Sequence, residues 1–574
     1  MWKHISLFML QTFRSCGKIF LEHKGGIFMA FYKGTPDIII RNGTIIDGTG
    51  KPGYFADVAI TGDKIDYIGN LKEVSAPLEI DATGKYVTPG FIDSHSHSDM
   101  NLFTNPLCQS AVRQGVTTEV VGNCGFSMRN ALNGIPFDPA GDGIKCVYEY
   151  NSPEAPKGSM AAVLDKAEKM GASMNTAWLC GHNDLRVLAD LRTTEYTEEQ
   201  FQIMADFLEE AMEAGFIGFS TGLEFDPGIL SKPEEVERLA AIAAKYDAIY
   251  CTHMRDESYH LLDSIEEFLN VIRKTGMRGT VSHLNVKYDN GVPGEYLFKG
   301  MDMLKAARKD ERLNVYCDML PTTFATGAAL AMLPPWLYAE GWDKAKEILA
   351  DPEGREKVRN DLNRYWYFLG AGQWDRLLFL LPPYWPEVAQ TPFQEIVKKW
   401  GKAPVDCYLD VMAAAPDLAT ARTVTMQGTM FDEQTMIDSV IKDPIYLWQT
   451  DSRVCTDGTD GPLVTRNNIQ DYMSMFYFFV RYVRELGAIS LEDAVCKATS
   501  RVANHFRLDN RGMLMPGFYA DVNVFALEDL TINATFANPR QYCTGMDYVI
   551  VNGTPVIAKG EHTKARPGRV LRHK

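Results

Sequence analysis

Between Val87 and Asp451 the chain repeats one pattern eight times, a short run of β-branched and small apolar residues followed in most repeats by a longer amphipathic stretch. The runs fall at Val87–His95, Thr117–Cys124, Thr176–Gly181, Gly215–Ser220, Ala248–His253, Gly279–His283, Asn314–Asp318 and Tyr446–Asp451. Strands that alternate with helices pair in parallel, because a parallel neighbour needs a crossover long enough to hold a helix. Eight of them predict an α/β fold, a closed (β/α)8 barrel of the TIM type. The helices between them are legible too. Thr197–Ala214 carries Glu198 and Glu199 in its first turn, and Pro233–Lys245 opens with Ser-Lys-Pro-Glu-Glu, which suits a helix start.

Outside the repeats the pattern changes. Asp37–Gly48, Ala56–Ile68 and Tyr86–Pro89 are short β-branched segments separated by Gly, Asp or Asn turns, and Tyr519–Phe525, Tyr548–Asn552 and Val556–Ala558 repeat the style at the far end. Both ends are therefore expected to build one small β-sandwich domain, residues 29–86 and 505–574, beside a barrel of residues 87–318 and 445–504. The connection 319–444 is too long for an ordinary barrel loop. It reads as a helical, aromatic-rich insert between the last two barrel strands, with helices at Asp343–Leu349, Arg355–Trp366 and Gln394–Trp400. Its Trp336, Trp342, Trp366, Trp374 and Trp385 suit either a small core of its own or a lid over a substrate.

Composition narrows the function classes. A formal charge of −16 offers no broad basic field for a phosphate backbone, so neither nucleic acid nor an anionic membrane is expected as partner. No run approaches the roughly 20 apolar residues that span a bilayer. The 11 cysteines form no Cys-x-x-Cys pair, which fits a reducing cytoplasm better than a disulfide framework. A small-molecule substrate is the expected partner, and a homo-oligomer stays open. Ile5–Phe13 is apolar, but Leu21-Glu22-His23-Lys24 is wrong for a signal peptide. Lys24-Gly25-Gly26 before Met29 reads as a translated ribosome-binding site, since purine-rich codons encode Lys-Gly-Gly. On that reading residues 1–28 are an extension, non-native or disordered, and the source is bacterial.

Chemistry concentrates at the strand ends. Gly90-Phe91-Ile92-Asp93-Ser94-His95-Ser96-His97 closes the first barrel strand, and period-two alternation puts His95 and His97 on one face, where both imidazoles reach one metal. Cys124, His253, His283 and Asp451 close other strands, at the end of a barrel where active sites collect. Singly, a cysteine is often a small buried hydrophobe and a histidine a satisfied core group. Six such residues at five strand ends point to a metal. A mixed His/Cys set favours Zn²⁺ over Mg²⁺ or Ca²⁺, which prefer oxygen.

These blocks carry a resemblance. Gly-Phe-Ile-Asp-Ser-His-Ser-His, Gly-Val-Thr-Thr-Glu-Val-Val-Gly-Asn-Cys-Gly-Phe-Ser at 115–127, Ser-Thr-Gly-Leu at 220–223, His-Met-Arg-Asp-Glu at 253–257, Ser-His-Leu at 282–284 and the C-terminal Ala-Arg-Pro-Gly-Arg-Val-Leu-Arg resemble the D-aminoacylase group of the amidohydrolase superfamily. The resemblance runs from about Asp37 to Arg572. It implies that His95 and His97 hold one metal position, that Cys124, His253 and His283 hold a tighter one, and that Asp451 is the catalytic carboxylate. Residues 215–223 contain no lysine to become a carboxylated bridge, and the resemblance implies that Cys124 stands in for it as thiolate. Water made acidic by zinc would then attack an amide carbonyl, with Asp451 taking its proton and returning it to the departing nitrogen.

The chain also departs from that group. Its usual lysine after the strand-six histidine is Asn285 here, its Tyr-Pro-Tyr after strand seven is Leu320-Pro321-Thr322, and its His-Pro-Arg after the catalytic aspartate survives only as Thr465-Arg466-Asn467. Loss of charge-assisted contacts weakens carboxylate binding, so altered substrate recognition is expected, towards a neutral or aromatic amide. His182, Arg255, Asn285, Thr322 and Arg466 are the residues expected near substrate, with Arg255 or Arg466 as the alternative cation for a carboxylate. Arg255, Asp256 and Glu257 also suit a salt-bridged loop that holds His253 in place. Ordinary N-acyl-D-amino-acid deacylation, metal-assisted C–C or ester cleavage, and a non-catalytic scaffold of the same fold remain rivals at this stage.

Overall fold

In the computed structural model of the chain, Gly90 divides the first expected strand between two sheets. Tyr86–Pro89 joins the terminal β domain and Phe91–Asp93 begins the barrel. A side chain at position 90 would meet the Thr117 hydroxyl at 2.2 Å, so only glycine lets the chain cross here. Periodicity shows a single apolar run at this point, which is why one strand was expected. The structure describes residues 19–24, 27–127, 159–225, 227–286, 295–338, 340–362, 373–380, 384–389, 391–421, 424–429, 431–459 and 468–573.

The first described element is an antiparallel hairpin, β1 (Ile19–Lys24) with β2 (Ile27–Tyr32), which pairs only with itself among the described strands. Residues 19–24 and 27–28 of the supposed extension thus have strand structure, and 1–18 lie outside the described residues. Next come β3 (Ile38–Ile45), β4 (Tyr54–Thr61), β5 (Lys64–Gly69), β6 (Leu78–Asp81) and β7 (Tyr86–Pro89). The barrel follows: β8 (Phe91–Asp93), β9 (Val116–Val121), β10 (Asn175–Gly181), β11 (Gly218–Gly222), β12 (Ile249–His253), β13 (Arg278–Val281) and β14 (Val315–Met319). The connection after β14 holds β15 (Phe324–Ala328), β16 (Leu377–Phe379) and β17 (Thr425–Thr429), and β18 (Tyr446–Trp448) completes the barrel. Last are β19 (Val522–Phe525), β20 (Met546–Val551), β21 (Thr554–Ala558) and β22 (Glu561–His562).

The barrel strands run parallel in the order β8-β9-β10-β11-β12-β13-β14-β18. Closure is irregular: the Ser94 amide donates to the Trp448 carbonyl at 3.2 Å, and Ser96 bridges to Ser452 beyond the two strand ends. Apart from Tyr316, every residue of these strands is buried, as expected for parallel strands with helices outside and packed side chains within. Glu198–Ala214 starts with a reciprocal capping box between Thr197 and Gln200 and stops at Gly215 in a left-handed conformation.

Strands from both ends of the chain make one sheet in the order β22-β21-β20-β19-β7-β3-β4-β5, with β6 beside β3. It encloses a core of its own that includes Ile38, Ile40, Val58, Ile60, Val522, Val524 and Ile550. The C-terminal block has a structural task, since Thr176 and Leu571 exchange backbone bonds with Arg569 and Thr176 and brace β10 from below.

The insert is not purely helical. β15, β17 and β16 form an antiparallel sheet, flanked by helices Trp342–Ala350, Pro352–Arg359, Phe393–Trp400 and Pro404–Ala413. The strands are too short for period two to show, and their partners lie about 50 to 100 residues apart, as in Leu377 against Gly428. The tryptophans serve the insert itself. Trp342 donates to the Ala415 carbonyl at 2.9 Å, Trp336 donates to Asp361 at 2.6 Å, and Trp385 stacks on Trp400 with ring centres 4.8 Å apart. Trp374 packs against the same core, and Trp366 lies outside the described residues.

Candidate metal centre

Six side chains from five strand ends converge at the C-terminal mouth of the barrel. His95 and His97 follow β8, Cys124 follows β9, His253 ends β12, His283 follows β13 and Asp451 follows β18. Strand eight stops at Trp448, so Asp451 sits in the turn beyond it, where its amide donates to the His95 carbonyl at 3.0 Å.

Three of the six stand in the left-handed backbone region: Cys124 at φ 54°, His283 at φ 34° and Asp451 at φ 50°. Such positions cost on the order of 1–3 kcal/mol each for a residue with a Cβ and persist only where the surroundings enforce them. Around Cys124 the enforcement is visible. Asn123 donates to the Val120 carbonyl at 2.9 Å, Gly125 donates to Ser220 Oγ at 3.1 Å, and Gly222 lies so close that a Cβ there would stand 2.0 Å from the Cys124 carbonyl. At His283 the Asp318 carboxylate accepts the backbone amide at 2.6 Å. Beneath His95, the Asp93 carboxylate accepts the amides of His95 and Thr450, each at 3.1 Å, and Ser96 donates to the buried Glu119 at 2.6 Å.

Donor atoms gather in overlapping groups, His95 with Cys124 and His283, and His95 with His97 and Asp451, each within 4.8 Å. Cys124 Sγ lies 3.4 Å from both His95 Nε2 and His283 Nε2, so the sulfur touches both halves. His97 Nε2 is 3.2 Å and His95 Nε2 is 3.7 Å from Asp451 Oδ1.

The outer nitrogens decide what lies between the inner ones. His253 Nε2 donates to Glu224 at 2.9 Å and His283 Nδ1 donates to Glu257 at 3.0 Å. Neutral imidazoles bonded in this way turn bare lone pairs, His253 Nδ1 and His283 Nε2, towards each other at 2.9 Å. Two lone pairs at that distance repel unless a proton or a metal ion lies between them. Electrostatics agree. Burial disfavours an imidazolium at His283, yet Glu257 and the Cys124 sulfur outweigh it and hold the pKa well above the ordinary value. Burial likewise opposes ionisation of Cys124, but His95 and His283 draw its thiol well below the ordinary range. A pocket that favours thiolate and positive charge together fits a bound metal ion, and its sulfur and nitrogen donors suit zinc. At Asp451 burial opposes the charge, while the bond to His97 and the charges of His95 and His97 prevail and keep the carboxylate below its usual pKa.

The residues expected near substrate have other commitments. His182 is fully buried and its Nε2 donates to Glu235 at 2.8 Å, a carboxylate that also pairs with Arg186 at 2.5 Å. Arg255 forks onto Glu267 at 2.9 and 3.0 Å. The Thr322 hydroxyl donates to the Phe324 carbonyl at 2.5 Å and accepts from Gln470 at 3.2 Å. Asn285 spends its amide on Glu257 at 3.0 Å and on the His283 carbonyl at 2.7 Å. Arg466 lies outside the described residues. The 255–257 loop also departs from expectation, since Glu257 holds His283 rather than His253, while Asp256 accepts from Ser258 at 2.6 and 2.7 Å. Sequence reasoning passed over Glu224 and Asp318. Their signal was a carboxylate at the end of a barrel strand, the same one that marked the histidines.

A (β/α)8 barrel that gathers imidazoles, a thiolate and a carboxylate at its C-terminal mouth defines the class of metal-dependent amidohydrolases. The family model described as "Amidohydrolase family" matches residues 78–358. D-aminoacylase of Alcaligenes xylosoxydans xylosoxydans is 29% identical over 93% of this chain and 97% of its own. N-acyl-D-glutamate deacylase of the same organism is 30% identical over 93% and 96%. Among solved structures, N-acyl-D-glutamate deacylase from Bordetella bronchiseptica, complexed with zinc and a phosphonate inhibitor that mimics the tetrahedral intermediate, superposes with a TM-score of 0.75 at 28% identity, covering 94% of this chain and 100% of that one. The chain belongs to the D-aminoacylase group of the amidohydrolase superfamily and is a hydrolase of carbon–nitrogen bonds other than peptide bonds.

Proposed function

We propose that this chain is a zinc-dependent hydrolase that cleaves an amide C–N bond with water and prefers a neutral amide to a free N-acyl-D-amino acid. The observation that carries the substrate preference is Asn285. Its NH₂ lies between two acceptors, Glu257 and the His283 carbonyl, and its Oδ1 is buried without a hydrogen-bond partner among the described residues. An unpartnered acceptor can receive an amide N–H, whereas a carboxylate brings only further acceptors. The engagement of Arg255 with Glu267 supports the same reading. An aromatic preference gains nothing from the tryptophans, which the insert uses for its own packing.

When bound, zinc supplies Lewis acidity, polarising the substrate carbonyl and bringing the pKa of water to about 7. Proton transfer falls to Asp451. Its carboxylate, about 29% exposed at the mouth and held by His97, takes a proton from water as the C–O bond forms. The same oxygen then delivers that proton to the nitrogen as the C–N bond breaks, giving acid and amine with no covalent intermediate.

A matched pair tests the preference: an N-acyl-D-amino acid and its neutral carboxamide, compared by kcat/KM on the zinc-loaded enzyme. We expect the carboxamide to lead by about tenfold or more, the scale of a lost charge-assisted contact. Strong preference for the free acid, abolished by replacing Arg255 or Arg466, would overturn the reading and restore ordinary N-acyl-D-amino-acid deacylation.

A further inference from the structure

The two halves of the centre are supported differently from behind. In the half that the family resemblance assigns to Cys124, His253 and His283, each imidazole has a buried carboxylate at its outer nitrogen, Glu224 at 2.9 Å and Glu257 at 3.0 Å. Glu224 is 4% and Glu257 1% exposed, so neither bond competes with bulk water. Glu257 is itself oriented, because its second oxygen accepts from Asn285 at 3.0 Å. In the half assigned to His95 and His97, both Nδ1 atoms are buried without a hydrogen-bond partner among the described residues. The nearest carboxylate oxygen to His95 Nδ1, on Asp318, is 3.5 Å away and already accepts the His283 amide at 2.6 Å.

A carboxylate behind an imidazole does three things to a metal ligand. It fixes which nitrogen carries the proton, stops the ring from turning, and makes the facing lone pair a better donor. Without it, a ring must be frozen at the moment the ion binds, and its tautomer is held only by packing. We propose that Glu224 and Glu257, the latter oriented by Asn285, are positioning residues that make the Cys124/His253/His283 half the tighter metal site, and that the long, shared contact of Asp318 with His95 and the missing counterpart behind His97 make the other half the weaker. The proposal rests on the metal reading above and adds to it the residues that set the order of affinities. It also gives Asn285 a function at the metal, through Glu257, at the position where the group usually carries lysine.

The test is metal binding, with no turnover required. Apoprotein is titrated with Zn²⁺ against a chromophoric chelator, and the tighter and the weaker ion are read as successive steps of one titration. The variants are Glu224→Gln, Glu257→Gln and Glu224→Asp, with thermal unfolding of each apoprotein as the check on folding. Each glutamine is expected to weaken the tighter ion by about 10- to 100-fold and leave the weaker one within twofold. Glu224→Asp, which keeps a carboxylate on a shorter arm, is expected to fall between. Glutamine variants that fold and hold the tighter ion within twofold of the native protein overturn the proposal and leave the metal reading standing. Equal weakening of both ions overturns it as well. A native protein that takes up neither ion sinks the metal reading and this one with it.

Discussion

Gly222→Ala should damage the site far more than its size suggests. The added methyl would stand 2.0 Å from the Cys124 carbonyl oxygen and 3.1 Å from the Phe225 ring. Ordinary contact begins near 3.4 Å, so the carbonyl must retreat by more than about 1 Å, and both atoms at the clash are anchored. One belongs to β11, paired with Cys251–His253 on its far side, and the other to a left-handed turn held by Ser220 and Asn123. Overpacking a rigid site of this kind costs about 1–3 kcal/mol of stability. The displacement passes straight to the Cys124 sulfur, and a misplacement of about 1 Å in a catalytic constellation costs on the order of 10²-fold in rate. Gly276→Ala is the matched control. Its φ is 71° with nothing within 4 Å of the new Cβ, so it carries backbone strain of about 1 kcal/mol and no clash. Chemical denaturation and kcat/KM on both variants separate the two effects: both lose stability, and only Gly222→Ala loses activity. Native kcat/KM in a folded Gly222→Ala would refute the idea that this backbone contact sets the position of Cys124.

Asp451→Asn should lower kcat by about 10²-fold or more at unchanged metal content and near-native circular dichroism, because the amide cannot shuttle a proton; near-native kcat in a metal-loaded sample would remove Asp451 from the mechanism. His505 predicts a pH effect on stability. It is buried, bonded to Thr280 at 2.9 Å, and burial together with Arg278 and Arg308 brings its pKa down to about 3. As pH falls below about 6.5 the unfolded chain takes up the proton first, so this contribution is complete above 6.5 and lost towards pH 3, on the order of 5 kcal/mol in all. His505→Gln should flatten the slope of unfolding free energy between pH 6.5 and 4, and a slope equal to the native one would count against a neutral buried imidazole.

Much of this molecule is written locally. Eight apolar runs separated by helical stretches allow few arrangements other than a parallel barrel, because the 2.0 and 3.6 periods are properties of neighbouring residues. His95 and His97 share a face for the same reason, with ring centres 5.3 Å apart, even though regular pairing ends at Asp93 before either is reached. Cys124, His253, His283 and Asp451 were visible because each follows or ends an apolar run, and a barrel brings the ends of its strands to one mouth.

What folding alone decided is which polar group meets which. Glu224 meets His253 across 29 residues, Glu257 meets His283 across 26, and Thr322 meets Gln470 across 148, and no local period encodes such pairs. Arg255 looked free to receive a carboxylate until helix Leu261–Thr275 set Glu267 one turn of packing away from it. Left-handed turns at Cys124, His283 and Asp451 are equally hard to read, since cysteine has no local preference for that conformation and the enrichment of histidine and aspartate there is too small to mark a single position. They exist because contacts from other strands outweigh a local cost of a few kcal/mol, and only the closed barrel brings those contacts to the same place.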